Sequence, residues 1–182
     1  VTESDRRLET ERLVLREPLE SDAQQLLEYH LRNAERFDRW EPKRGTEVAQ
    51  HRQWIDWRRS ESAEGRGITF FAFARERPEM LIGLANLDAI STEPSRTAML
   101  SYSVDGPFEG KGYARETVGA TIAYAFGPLD LHHLSATFDP ANARSGGLLA
   151  RFGFVEIARS PVIPGMERLM RAQVLAALNR PA

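Results

Sequence analysis

The chain has 182 residues, enough for one domain with a sizeable core, and its 42% hydrophobic and 27% charged residues are ordinary for a globular protein. Lysine and arginine number 24 against 26 aspartates and glutamates, a net charge of -2, which argues against a dedicated nucleic-acid binder. Cysteine is absent, which excludes disulfides, zinc thiolates and a cysteine acyl-enzyme.

Arg12 to Pro18 reads as a short strand stopped by proline. Ser21-Asp22-Ala23-Gln24 looks like a capping box, opening a helix that buries Ala23, Leu26, Leu27 and, a turn later, Leu31. A less regular stretch holds Phe37, Trp40, Glu41 and Pro42. Thr46 is the expected cap of a second helix, with Val48, His51 and Ile55 on one face and Trp54 or Trp57 at its edge. Glu61 to Gly67 reads as a polar loop, and Thr69 to Ala74 as a strand whose Phe70, Phe71 and Phe73 belong to the core. After a charged turn, Arg75 to Met80, Leu81 to Ile90 and Arg96 to Val104 read as two strands of an antiparallel meander.

Further on, Ala114, Val118, Ile122 and Ala125 repeat at helical spacing, and Gly127-Pro128 ends that helix. Leu134 to Phe138 is a strand and Asp139 to Asn142 a turn. A short helix carries Leu148, Leu149 and Phe152, with Gly153 as its C-cap. Phe154 to Ala158 and Arg168 to Leu175 are the expected closing strands. Consecutive strands interrupted by helices indicate a mixed α/β sheet, not a doubly wound one. His30, His51, His132 and His133 are scattered without metal-ligand spacing, so no metal site is expected. No apolar run is long enough to span a membrane and no signal-peptide pattern is present, which makes the cytoplasm the expected compartment.

The most informative stretch is Pro107-Phe108-Glu109-Gly110-Lys111-Gly112-Tyr113-Ala114-Arg115-Glu116, between a strand and an amphipathic helix. Such a turn leaves successive backbone N–H groups pointing outward at a helix N-terminus, a cradle for an anion such as pyrophosphate. The phosphate-loop pattern fails, because Gly112-Tyr113 follow the lysine. The dinucleotide fingerprint fails too, with Arg115 where its third glycine belongs.

The remaining common user of such a turn after an internal strand is the acyl-CoA site of the GNAT acyltransferases, whose loop reads Gln/Arg-x-x-Gly-x-Gly/Ala. The chain resembles that family, with Glu109 replacing the leading Gln or Arg. Asp139-Pro140-Ala141-Asn142-Ala143-Arg144-Ser145-Gly146-Gly147-Leu148-Leu149-Ala150-Arg151-Phe152-Gly153-Phe154 is similar to the Asn-x-x-Ser…Leu-Gly-Phe segment of the branch that acetylates ribosomal-protein N-termini. Phe37-Asp38-Arg39-Trp40-Glu41-Pro42 resembles that branch's Trp-Glu-Pro segment, and Leu81-Ile82-Gly83-Leu84-Ala85-Asn86 its Ile-Gly segment. The likeness runs from about Arg12 to about Leu178 and implies one GNAT domain over residues 1–182. The fold it implies is a mostly antiparallel, splayed central sheet flanked by helices.

The activity implied is direct acetyl transfer from acetyl-CoA to a primary amine, foremost the N-terminal α-amine of a protein, with ribosome association resting on analogy alone. On this resemblance, backbone around Tyr102, Ser103 and Val104 bonds pantetheine and polarises the thioester, and backbone N–H groups of Glu109, Gly110, Lys111, Gly112, Tyr113 and Ala114 hold the pyrophosphate. Lys111 is either a further phosphate contact or a solvated lysine, and Arg144 likewise. Glu109 turns outward if affinity is to be kept. Asn142 caps a helix, contacts pantetheine, or both. Ser145 is either a first-turn hydroxyl or the proton donor to the leaving thiolate. Glu41 is either a loop glutamate or the group that receives the incoming ammonium. Glu156 reads as a strand glutamate. Trp40 and Tyr102 line the acceptor pocket unless they pack in the core. Two alternatives stay open: an acetyltransferase of small-molecule amines, and a non-catalytic CoA-binding module, kept alive by Glu109. Neither nucleic-acid nor membrane binding is expected, and a homodimer is left open.

Overall fold

The computed structural model describes residues 6–39, 44–160 and 173–181. Among the described residues eight strands form one sheet: β1 (Arg7–Glu9), β2 (Leu13–Arg16), β3 (Ile68–Ala74), β4 (Arg77–Ser91), β5 (Thr97–Val104), β6 (His133–Phe138), β7 (Val155–Ser160) and β8 (Gln173–Asn179). Their order is β1-β2-β3-β4-β5-β6-β8-β7, with every pair antiparallel except β5 and β6. Four helices flank it: α1 (Ala23–Phe37), α2 (Val48–Ala63), α3 (Tyr113–Phe126) and α4 (Ala143–Arg151).

Helices cover both faces of the sheet, which explains why β3 is apolar without alternation. Phe70, Ala72 and Ala74 meet Val118, Tyr124 and Ala125 of α3, whereas Phe71 and Phe73 meet Leu26 and Tyr29 of α1 and Ile55 of α2. All three phenylalanines of β3 are core, as expected.

Several local expectations are corrected. Ser21 caps nothing; Asp22 reaches back to accept from the Leu19 N–H at 2.7 Å, at the start of a 3-10 turn preceding α1. Leu31 is 52% exposed, because the buried face of α1 continues through Tyr29, His30 and Asn33. The cap of α2 is Glu47, whose N–H donates to Gln50 Oε1, so the helix starts one residue after the position Thr46 implied. That helix also runs to Ala63, through much of the expected loop. β4 begins at Arg77, so Pro78 lies within a strand. In α3 Val118 and Ala125 are buried and Ile122 packs half-buried against the core, but the buried face also carries Thr117 and Thr121, and Ala114 is only half-buried; Thr121 Oγ1 satisfies itself on the Thr117 carbonyl at 2.9 Å. β1 was not foreseen. Residues 168–172 lie outside the described residues, and β8 continues past Leu175 to Asn179.

Candidate active site

The parallel pairing of β5 and β6 covers only Thr97 to Met99 against His133 to Ser135. Beyond it, β5 stays paired to β4 through Val104, while β6 pairs on its other side with β8 through Phe138. The backbone of residues 100–104 therefore faces an opening between two strands that part. This gap is where the resemblance puts pantetheine, and its edge is unpaired backbone of the kind an added strand would bond.

The glycine turn lies at the end of β5. Gly110 and Gly112 have φ of 70° and 87°, the left-handed region that favours glycine. The Glu116 N–H donates to the Gly112 carbonyl, whereas the N–H groups of residues 110–115 donate to no described acceptor. A Cβ at Gly110 would meet nothing within 4 Å. Open space, unpaired donors and the positive end of α3 together fit a pyrophosphate.

Side chains brace the turn from two directions. On one side Arg12 donates to the Lys111 carbonyl at 2.9 Å, pairs with Glu116 at 2.8 Å and lies 4.3 Å over the Tyr113 ring. Burial pushes the Glu116 carboxyl up. Hydrogen bonds from Thr10 and Arg12, with Arg12's charge, outweigh that and hold it below its ordinary value. On the other side α1 presents Arg32, Asn33 and Arg36. Fully buried Asp105 accepts from Arg32 at 3.0 Å and from Asn33 at 2.9 Å, while Asn33 Oδ1 takes the Gly106 N–H at 3.0 Å. Arg36 donates to the Val104 carbonyl at 2.5 Å.

Glu109 is part of this brace. Its carboxylate bonds Arg36 on one oxygen and Arg144, the second residue of α4, on the other at 2.5 Å. Two guanidiniums thus offset the one negative charge that the turn carries in place of Gln or Arg. Arg144 is exposed but ion-paired, and Lys111 is exposed.

A cavity of about 290 Å³ adjoins the strand gap and is lined, among others, by His30, Trp54, Asn86, Tyr102, Ser103 and Ser145. The Tyr102 phenol lies 3.0 Å from Ser145 Oγ and donates to the Ser145 carbonyl at 3.2 Å. Burial pushes the phenol above its ordinary value, against the opposing Ser145 hydrogen bond, so it stays protonated at neutral pH. Asn142 caps α4 by accepting from the Ser145 N–H at 3.2 Å, and it also lines the cavity. Gly146 lets α4 sit against Phe138; a Cβ there would lie 2.7 Å from that ring.

Of the expected site residues, Tyr102, Ser103, Asn142 and Ser145 come together around this cavity, and Glu109 to Ala114 form the adjacent turn. Trp40 and Glu41 lie outside the described residues. Glu156 pairs with Arg159 at 2.9 Å on exposed β7, as a strand glutamate. The histidines are not all scattered: His30 and His51 touch at 2.8 Å and both are buried. That contact, the α1 brace and Asn86 went unread, since each depends on which helix faces pack. Among the described residues no cluster could hold a metal ion, and no helix is long and apolar enough to cross a membrane.

Comparison with known proteins agrees with this geometry. Residues 12–155 match the family model described as an acetyltransferase (GNAT) domain. The chain is 30% identical over 178 residues to the [Ribosomal protein uS5]-alanine N-acetyltransferase of Escherichia coli (strain K12), covering 96% of this chain and 91% of that one. Among solved structures, the ribosomal-protein-S5-alanine acetyltransferase from Vibrio fischeri superposes with a TM-score of 0.87 at 25% identity, over 96% of this chain and 97% of that one. Mycobacterium smegmatis RimJ in complex with CoA-disulfide shares the fold, with a TM-score of 0.80 at 22% identity over 92% and 81% of the two chains. The chain belongs to the acetyltransferase (GNAT) family and is an acetyl-CoA-dependent N-acetyltransferase.

Proposed function

We propose that the chain acetylates the N-terminal α-amine of a protein, of the ribosomal-protein-alanine type, by direct attack of the amine on the thioester. Acetyl-CoA supplies the activated acetyl group. The turn from Glu109 to Ala114 holds the pyrophosphate, with Lys111 adding a cation at its edge. Unpaired backbone at Tyr102, Ser103 and Val104 lines the pantetheine gap and polarises the carbonyl. Asn142 holds the start of α4 and faces the same gap. The Tyr102 phenol and Ser145 hydroxyl keep a proton beside the reacting sulfur for the departing thiolate. Trp40 and Glu41 stay, on sequence alone, as acceptor-side candidates; both are within four residues of Arg44, which lines the cavity.

The observation that carries the choice of a polypeptide acceptor is the continuity of the cavity. Arg44, Trp54, Asn86 and Ser101 line both it and an open groove of about 780 Å³, which runs on past Trp57 and Arg58 to Arg66 and Asp88. A chain extending from a reacting N-terminus has room to leave there, whereas a small amine needs no such exit. An α-amine suits a site with little basic machinery. With a pKa near 7.8, roughly a tenth of it is neutral at pH 7, against well under a thousandth of a lysine side chain. A panel of Ala-, Ser- and Met-initiated peptides beside small amines tests the reading. Transfer to the Ala and Ser peptides is expected, and transfer to small amines alone would move the assignment to a metabolite acetyltransferase.

A further inference from the structure

His30 of α1 and His51 of α2 are 7% and 4% exposed, and His30 Nδ1 lies 2.8 Å from His51 Nε2. His51 Nδ1 lies 3.0 Å from the Glu47 carbonyl oxygen. A carbonyl oxygen only accepts, so His51 Nδ1 carries a hydrogen. In a neutral ring His51 Nε2 is then bare and accepts, so His30 Nδ1 must be the donor. The chain of bonds leaves one consequence: His30 Nε2 carries a lone pair and no proton.

His30 is also held neutral. Burial pushes its pKa down to about 3, with the charge of Arg44 acting in the same direction. Nε2 has no hydrogen-bond partner among the described residues, and the ring lines the cavity that holds Tyr102, Ser103 and Ser145. A bare ring nitrogen at a cavity wall is an acceptor for any N–H donor that enters. The cavity on its open side is where an amine must arrive.

We propose that His30 Nε2 accepts an N–H of the acceptor amine and so orients its nitrogen toward the thioester, with His51 as a positioning residue that fixes the His30 tautomer. This inference rests on the reading of the cavity as an acetyl-transfer site, but it asks only for an amine and not for a peptide. His30 binds the N–H without keeping the proton, because an α-ammonium of pKa about 7.8 does not yield it to a ring held so low.

The first test is kinetic, using whichever amine the wild-type protein acetylates. His30→Phe keeps an aromatic ring against Tyr29 and Phe37 but removes the lone pair. It should raise the acceptor KM about tenfold, the effect of one lost hydrogen bond to an amine, and leave the calorimetric Kd for acetyl-CoA unchanged. His51→Leu, which frees the His30 tautomer, should show a smaller rise, and His51→Gln, able to accept from His30 Nδ1, should recover most of it. An acceptor KM within twofold of wild type in folded His30→Phe would overturn the proposal.

The second test needs no variant. In nitrogen-15 imidazole spectra of the wild-type protein, His30 should show a protonated Nδ1 and a bare Nε2. The Nε2 resonance should move when an Ala-initiated hexapeptide is added and stay when its N-acetylated counterpart is added. A protonated Nε2, or equal response to both peptides, would overturn the proposal even if His30→Phe does not fold. Absence of transfer to every amine would instead overturn the transferase reading, and the spectra would still decide the histidine.

Discussion

The donor and acceptor halves of the proposed site are built from different materials. The donor half is mostly backbone: an unpaired strand edge at residues 100–104 and an N–H-lined turn with glycines at φ of 70° and 87°. The acceptor half is side chains from two helices and a hairpin: His30, Trp54 and Asn86. Backbone recognition suits a cosubstrate that never varies. A side-chain wall on helices α1 and α2 can be changed one residue at a time without disturbing the phosphate turn. Variants on the two sides should therefore separate cleanly, acetyl-CoA affinity from acceptor KM.

The largest effect expected is catalytic. Tyr102→Phe and Ser145→Ala should each lower kcat by about a hundredfold, the size typical of a lost general acid. Because the two hydroxyls lie 3.0 Å apart and share one proton path, the double variant should lose little more than either single. Fully additive losses in a double-mutant cycle would separate the two residues. Next comes Gly112→Val, which places a β-branched residue at φ of 87° with its Cβ 3.1 Å from Arg12. The strain, about 1–3 kcal/mol, should reshape the turn and weaken acetyl-CoA binding by about ten- to a hundredfold by calorimetry, with acceptor KM unmoved.

Glu109→Gln sharpens the comparison further. The carboxylate is held by Arg36 and Arg144, so its removal frees two cations at the phosphate turn. Affinity for acetyl-CoA should rise by about threefold at low salt and return to the wild-type value at high salt, as exposed charges are screened. A fall in affinity would mean that Glu109 orients those arginines for the ligand.

The smallest effect concerns the brace. Folding holds the Glu116 carboxyl below its ordinary value, so its stabilisation is present above the unfolded pKa and is lost as pH falls through the folded one. Glu116→Gln should cost about 1 kcal/mol near neutrality, seen as a lower Tm, and the gap to wild type should close in acid. A gap independent of pH would contradict the ion pair.

The same contrast explains what could be read in the residues alone. Gly110, Gly112 and the Asn142-to-Ser145 cap are local signals, since a turn and a helix start are decided within a few positions. The apolar run of β3 and the helical repeat of α3 are local too, and they carried the fold class. The α1 brace was invisible because Arg32, Asn33 and Arg36 look like a solvated helix face until Asp105, 73 residues on from Arg32, is buried against it. His30 and His51 are 21 residues apart and share no motif; only the packing of α1 on α2 joins them. β1 is three residues long and gains its identity only by pairing with β2.

The central claim is that this cavity delivers an acetyl group to a chain's N-terminal α-amine. The most direct measurement gives the protein acetyl-CoA and one peptide that begins with Ala and carries an internal lysine, then locates the acetyl group by tandem mass spectrometry. Acetylation of the α-amine alone is predicted. Acetyl on the lysine, or an unmodified peptide under conditions where a small amine is acetylated, would contradict the account.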